Sequence, residues 1–215
     1  VDQQQLPVLH LSIGESRYNA MTATVARRMR DQWQVQATYT LARGTDTAPL
    51  TGTYVVGSGD DRVSDPSNLD RDKGVTPFNQ THTLAVSGVI APRVSGDSMS
   101  AMLLNDNQVG VIFQANSGLP FNIRSNLDLN GDGVTNDRPL GIDRNTGRFG
   151  NVVNLDLRYS RFFPIMRTTR AEVFFEAKNL FNRENVSGVN RVVTTTAAGA
   201  PVAAKANPRC SSASI

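Results

Sequence analysis

The amino-acid sequence predicts an all-β fold of about six antiparallel strands. Apolar and polar residues alternate with a period of two in several segments, which is the pattern of a strand with one apolar and one polar face. No long segment repeats apolar residues at the helical spacing of i, i+3, i+4 and i+7, so little helix is expected. Charged residues make up only 19% of the 215 residues, which is unlike the composition of a disordered chain.

The first two predicted strands form a hairpin. Residues 17–28 alternate weakly and residues 32–42 alternate strongly, with Trp33 and Tyr39 among the apolar positions. Only a few polar residues separate the two segments, so we expect a tight turn between them. The other four strands are predicted within residues 81–91, 108–116, 153–159 and 171–177.

The connections between these strands favour a membrane barrel. Residues 43–80 and 117–151 form long polar connections, whereas the turns near residues 28–31 and 163–168 are short. Outer-membrane barrels have short turns on one side and longer loops on the other, and their strands alternate apolar-out and polar-in. The sequence therefore predicts antiparallel transmembrane β-barrel strands. The medium connection at residues 92–107 fits this pattern least well.

The alternation also assigns opposite directions to the apolar and charged side chains of the predicted strands. The residues expected to face lipid are Val35, Ala37, Tyr39, Val173 and Phe175. The residues expected to face the barrel lumen, as a ladder of charges, are Asp156, Arg158, Arg170, Glu172, Glu176 and Lys178.

Three stretches resemble the C-terminal barrel of TonB-dependent outer-membrane receptors, in particular the Oar-like group. The first is RYNAMTATVARRMRDQWQVQATYTLARGTD at residues 17–46. The second is FNQTHTLAVSGVIAP at residues 78–92 with VGVIFQANSGLPFNI at residues 109–123. The third is NVVNLDLRYSRFFPI at residues 151–165 with AEVFFEAKNLFNREN at residues 171–185. The NLFNREN and SGLPF motifs are the more specific parts of the resemblance.

The resemblance implies the C-terminal portion of a barrel of about 22 strands around an N-terminal plug. It implies a location in the outer membrane of a Gram-negative-type bacterium and active uptake of a nutrient such as a siderophore or an oligomer. The implied partners are outer-membrane lipid, the remainder of the barrel with its plug, and the TonB energising complex acting through the plug.

Two regions are expected along the chain. Residues 1–185 are interpreted as the barrel portion, and residues 186–215 as an irregular tail of small and polar residues. The tail has no alternating segment that could serve as a closing strand, so we expect an incomplete barrel, a fragment of a longer receptor.

Several classes of protein and site are not expected. The chain has one cysteine and two histidines, too few for a disulfide framework or a zinc cluster. No nucleophile and base stand at a recognisable catalytic spacing, so we expect no enzyme. The net charge of +3 is spread along the chain, so no nucleic-acid partner is expected. The acidic segment at residues 57–73 is interleaved with basic residues and is expected to be a solvated loop.

A soluble or secreted β-sandwich is the alternative interpretation. Such a domain would bind a ligand or adhere through its long loops, one of them braced by calcium. Alternation alone does not separate the two folds, because the apolar face is buried between sheets in a sandwich and faces lipid in a barrel.

The calcium-like loop is DLNGDGVTND. Asp128, Asn130 and Asp132 occupy positions 1, 3 and 5 of an EF-hand-like loop, with Gly133 at position 6. Position 12 lacks the usual bidentate Glu, and Asp137 or the Asn136 side chain is the candidate substitute. Asp, Asn and Gly are also ordinary turn residues, so a plain extracellular loop is the other interpretation.

If the loop binds calcium, it should bind weakly, because the bidentate carboxylate is missing. We expect a dissociation constant no better than about 0.1 to 1 mM. Calorimetry on the wild type and on Asp132→Ala measures this directly. Identical titrations of the two proteins, or no heat at millimolar calcium, would remove the site.

Overall fold

The computed structural model describes residues 14–47, 64, 68–96, 98–131, 133, 135, 137–166, 169–186 and 188–202. Within these residues a 3-10 helix lies at Leu69–Asp72 and a helix, α1, at Met99–Leu104. The strands in chain order are β1 (Ser16–Arg30), β2 (Trp33–Asp46), β3 (Gly74–Val75), β4 (His82–Ile90), β5 (Asn107–Asn116), β6 (Pro120–Phe121), β7 (Arg124–Ser125), β8 (Gly147–Arg148), β9 (Val152–Pro164), β10 (Arg170–Ala177) and β11 (Val192–Val193).

The six long strands form one antiparallel sheet in the order β1-β2-β4-β5-β9-β10, and β3 pairs with the end of β2. These are the six strands that the sequence predicts. Each long strand neighbours the next one along the chain, as in an up-and-down barrel. In the described part of the chain β1 and β10 do not pair with each other, so the barrel is not closed. Neither helix among the described residues is long and apolar enough to cross a membrane.

Threonine pairs support the contact between β1 and β2. Thr22 lies opposite Thr40, and Thr24 lies opposite Thr38, with hydroxyl oxygens 3.0 and 3.2 Å apart. Such β-branched residues suit the pleated surface of a strand, and their hydroxyl pairs stabilise the cross-strand contact. The polar face of this hairpin is therefore held by uncharged hydrogen bonds.

The turn between β1 and β2 is tight, as predicted. Asp31 and Gln32 both have positive φ, 52° and 76°, which is the requirement of a type I′ hairpin turn. Glycine usually fills the second of these positions, but here the Gln32 side chain has a further role. Its amide group donates to the Arg93 carbonyl at 2.8 Å and accepts from the Arg93 N–H at 2.7 Å. The turn is thereby joined to the segment that follows β4.

The connections at the two ends of the sheet differ in length. The short-connection end carries the β1–β2 turn, the segment between β4 and β5, and the β9–β10 turn. The long-connection end carries the segments between β2 and β4 and between β5 and β9, together with the residues after β10. The short pairs β6–β8 and β7–β11 both involve these long segments.

The segment between β4 and β5 contains α1. Ser98 caps this helix by accepting a hydrogen bond from the Ala101 N–H at 3.3 Å. The Asn105 side chain accepts from the Val94 N–H at 2.7 Å and donates to the Val94 carbonyl at 3.0 Å. These bonds connect the start of the segment to its end. The connection between β4 and β5 is therefore a small folded loop and not a simple turn.

Part of the predicted tail contacts the long connections. β11 pairs in parallel with β7, and Thr195 forms a bridge with Pro201. The division of the chain into residues 1–185 and 186–215 stays a prediction. Residues 203–215 lie outside the described part of the chain. No described residue after Ala177 adds another long strand to the sheet.

Candidate functional site

One face of the sheet is mainly apolar from β2 to β10, with the paired residues Asn107 and Arg161 as polar exceptions at the short-connection end. Ala37 pairs with Val86, Val86 with Phe113, and Phe113 with Leu155. Because side chains of directly paired residues lie on the same side of a sheet, these four residues share one face. We define the apolar face as Val35, Ala37, Tyr39, Val86, Phe113, Leu155, Tyr159, Val173 and Phe175. The register thus brings together all five residues predicted to face lipid; their contact with lipid stays a prediction.

The apolar face is exposed at the outer strands, whereas its members on the inner strands are mostly half-buried. Val173 and Phe175 are 62% and 70% exposed, and on β1 Met21 and Val25 are 62% and 72% exposed. No described element covers these side chains. Exposed apolar surface of this extent marks a site of contact with another apolar phase or partner.

The opposite face carries the charges. Glu176 pairs with Arg158, and Arg158 with Gly110 of β5. We define the polar face as Gln34, Gln36, Ser87, Gln108, Asp156, Arg158, Arg170, Glu172 and Glu176. Most of these residues line a groove of about 840 Å³. Lys178 follows Ala177, where β10 and its pairing with β9 end.

The charges in the groove are paired with each other. Arg158 Nη2 lies 2.9 Å from Glu172 Oε1, and the Ser160 hydroxyl donates to the same oxygen at 2.7 Å. The Arg158 guanidinium also stacks on Phe174, 4.1 Å from the ring centroid. Asp156 accepts from the N–H of Asn179 at 2.9 Å, which holds the segment after β10 against β9. The groove therefore presents charges and amides that are held in place by contacts between β9, β10 and the segment after β10.

A buried ion pair joins the two long connections. Arg138 Nη2 lies 2.8 Å from Asp72 Oδ1, and their side chains are only 5% and 2% exposed. Asp72 also accepts from the Ser64 N–H at 3.0 Å, and Arg138 additionally donates to the Arg71 carbonyl. This pair lies at the centre of what we call the loop layer. The loop layer consists of Asp46, Asp72, Asn122, Ser125, Asp137, Arg138, Arg144, Asn145 and Thr195.

A second buried arginine ties the loop layer to the sheet. The Arg144 guanidinium donates to the Asp46 carboxylate at the end of β2 and to the Asp72 carbonyl. Asn145 donates to the Val75 carbonyl at 2.6 Å, and its N–H donates to Asn122. The layer is therefore attached to β2 and β3 by buried polar bonds.

The tail completes the loop layer. Ser125 Oγ lies 2.6 Å from Thr195 Oγ1, and both residues are buried. The Thr195 N–H donates to Asn126 Oδ1 at 2.9 Å. The Leu140 N–H donates to the Gly199 carbonyl at 2.8 Å. Both long connections and the tail thus form one polar layer over the same end of the sheet.

The sheet has six long strands, one apolar face, one charged face and its long connections at one end. These are the features of the wall of a membrane barrel. The family model of the outer membrane beta barrel domain matches residues 8–143, more than half of the chain. The chain belongs to this family. No curated protein and no solved structure gives a significant match. Membership supports a location in the outer membrane and is consistent with association of the chain with membrane lipid.

The calcium-like loop of this outer-membrane barrel domain is described only in part. Asp128 accepts from the N–H groups of Gly131 and Gly133 at 2.7 and 2.8 Å. Asp137 accepts from the N–H groups of Leu129 and Asn130 at 2.6 and 3.2 Å. Both carboxylates therefore brace the turn.

One of the four predicted ligands, Asp132, lies outside the described residues. Across the described part of the chain, no three His, Cys, Asp or Glu side chains cluster as metal ligands do. Calcium binding by Asp128, Asn130, Asp132 and Asp137 stays a prediction.

The sequence analysis missed the buried charges of the loop layer. It expected residues 57–73 to be a solvated loop, but Asp72 is 2% exposed and paired with Arg138. Interleaved acidic and basic residues are consistent both with a solvated loop and with buried ion pairs. The partners lie 66 residues apart in the chain, so no local pattern could have joined them.

Breaking the Asp72–Arg138 pair should open the loop layer. Asp72→Asn leaves the Arg138 guanidinium buried without its counter-charge, a change that costs about 3 to 5 kcal/mol. Hydrogen exchange of residues 68–80 and 137–146 measures the effect. Asp31→Asn is the control, because it removes an exposed ion pair with Arg27 worth about 0 to 1 kcal/mol. Equal protection of the loop amides in both variants would contradict the assigned role.

Proposed function

We propose that the chain forms part of the wall of a TonB-dependent outer-membrane receptor that takes up a nutrient such as a siderophore or an oligomer. The observation that carries the proposal is the division of one sheet into an apolar face and a charged face that lines a groove of about 840 Å³. The NLFNREN and SGLPF motifs support the choice of this receptor class within the outer-membrane barrel family.

The two faces would have different partners in such a receptor. The apolar face would contact lipid, and the groove would face a plug and the nutrient that passes it. Energy would reach the plug from the TonB complex. The ion pair between Arg158 and Glu172 would then line the passage, with no catalytic role.

A soluble sandwich has less support. In a sandwich the apolar face would be covered by a second sheet. In the described part of the chain Val173 and Phe175 remain mostly exposed, and the short pairs β6–β8 and β7–β11 belong to the long connections.

Two neighbouring substitutions in β10 test the assignment of faces. Val173→Arg should destabilise the lipid-inserted state by about 2 to 4 kcal/mol if Val173 lies near the bilayer midplane. The Glu172 side chain faces the groove, so Glu172→Gln should destabilise the lipid-inserted state far less. Refolding titrations of the parent barrel in lipid vesicles give both values. Similar losses in the two variants would mean that the faces are assigned wrongly.

Uptake measurements test the transport function. In cells that produce the receptor, accumulation of iron-loaded siderophores or of labelled oligosaccharides should fall when the gene is deleted. It should fall to the same level when the proton motive force is collapsed, because uptake through the TonB complex depends on it. Entry that persists after the collapse would instead indicate a passive pore.

A further inference from the structure

The helix α1 exposes a strongly apolar side. Met99, Met102 and Leu103 stand at the spacing i, i+3 and i+4, which places them on one side of a helix. Their exposed fractions are 80%, 78% and 62%, whereas Ala101 is 3% exposed. The helix therefore turns its smallest residue inward and its largest apolar residues outward.

An arginine fixes α1 on the same side of the sheet as the apolar face. Arg161 of β9 pairs with Val173, so its side chain emerges from that face. Its guanidinium donates to the carbonyls of Met102 and Leu103, at the C-terminal end of α1, at 3.3 and 3.5 Å. It also donates to Asn107 Oδ1 at 3.2 Å. The helix is thus continuous with the surface assigned to lipid.

The β9–β10 turn extends the exposed apolar surface at the short-connection end. Phe163, Ile165 and Met166 are 43%, 61% and 72% exposed. Arg93 is also exposed at this end of the sheet, where Arg161 emerges from the apolar face. Apolar side chains with flanking cations suit the boundary between acyl chains and phosphate headgroups.

We propose that α1 and the β9–β10 turn form an interfacial anchor, made of Met99, Met102, Leu103, Ile165 and Met166. The anchor lies in the headgroup region of the phospholipid leaflet at the short-connection end, with its apolar side buried about 5 to 10 Å. Arg161 acts as a positioning residue, because it ties the helix to β9 on the lipid side. The inference rests on insertion of the sheet into the bilayer, which the proposed function requires.

Depth-dependent quenching of tryptophan tests the anchor. The chain has one tryptophan, Trp33. Trp33→Phe therefore removes the tryptophan fluorescence, and single reporter tryptophans are introduced into this variant. Leu103→Trp reports on the anchor, and Phe175→Trp on the apolar face. Leu140→Trp is the matched control. Leu140 and Leu103 are both 62% exposed, but Leu140 lies two residues after Arg138 of the loop layer, at the other end of the sheet. Each 215-residue variant is refolded into phospholipid vesicles with bromines placed at different depths along the acyl chains.

The anchor predicts strong quenching of Leu103→Trp, greatest when the bromines are near the headgroups. Quenching of Leu140→Trp should be several-fold weaker at every depth. If Phe175→Trp is quenched and Leu103→Trp is not, the anchor is wrong while insertion of the sheet stands. If Leu103→Trp alone is quenched, α1 contacts lipid without an inserted sheet, and both the anchor as proposed and the spanning sheet are contradicted. If neither is quenched, both the anchor and the inserted sheet are contradicted.

Discussion

The register of the antiparallel sheet is the constraint on which the other features depend. Side chains alternate with a period of two, so a slip of one residue in any strand would exchange its two faces. The observed pairing from β2 through β10 keeps Ala37, Val86, Phe113 and Leu155 on one side. The same pairing places Arg158 opposite Glu176 on the other. In lipid, a ladder of this kind also satisfies the backbone N–H and C=O groups between neighbouring strands.

The interior of the described chain is polar, and this follows from the same constraint. An outer-membrane barrel domain directs its large apolar side chains toward lipid, so few of them are left for a core. The buried hydrophobic residues are Ala42 and Ala101, whereas Asp72, Arg138 and Arg144 are among the buried charged residues. Cohesion of the loop layer therefore depends on paired charges and amides rather than on apolar packing. Such networks are costly to disturb because each member is buried.

The sequence was sufficient for the strands but not for the contacts between distant segments. Alternation located all six long strands and grouped Val35 with Val173 on one face. Phe174 interrupts the polar side of β10. The Arg158 guanidinium of β9 stacks on its ring, a contact between strands that the alternation within β10 does not indicate. The helix α1 is too short to show a helical period, and the loop layer joins residues from separate connections.

The even number of long strands has a topological consequence. β1 starts and β10 finishes at the long-connection end, since the direction of the chain reverses at each of the six strands. The segments next to Ser16 and Ala177 must then lie on the same side of the bilayer as the loop layer. A water-soluble protease or label added from that side alone would reach both flanks of the sheet, while the β1–β2 turn at Asp31 would be shielded by the membrane.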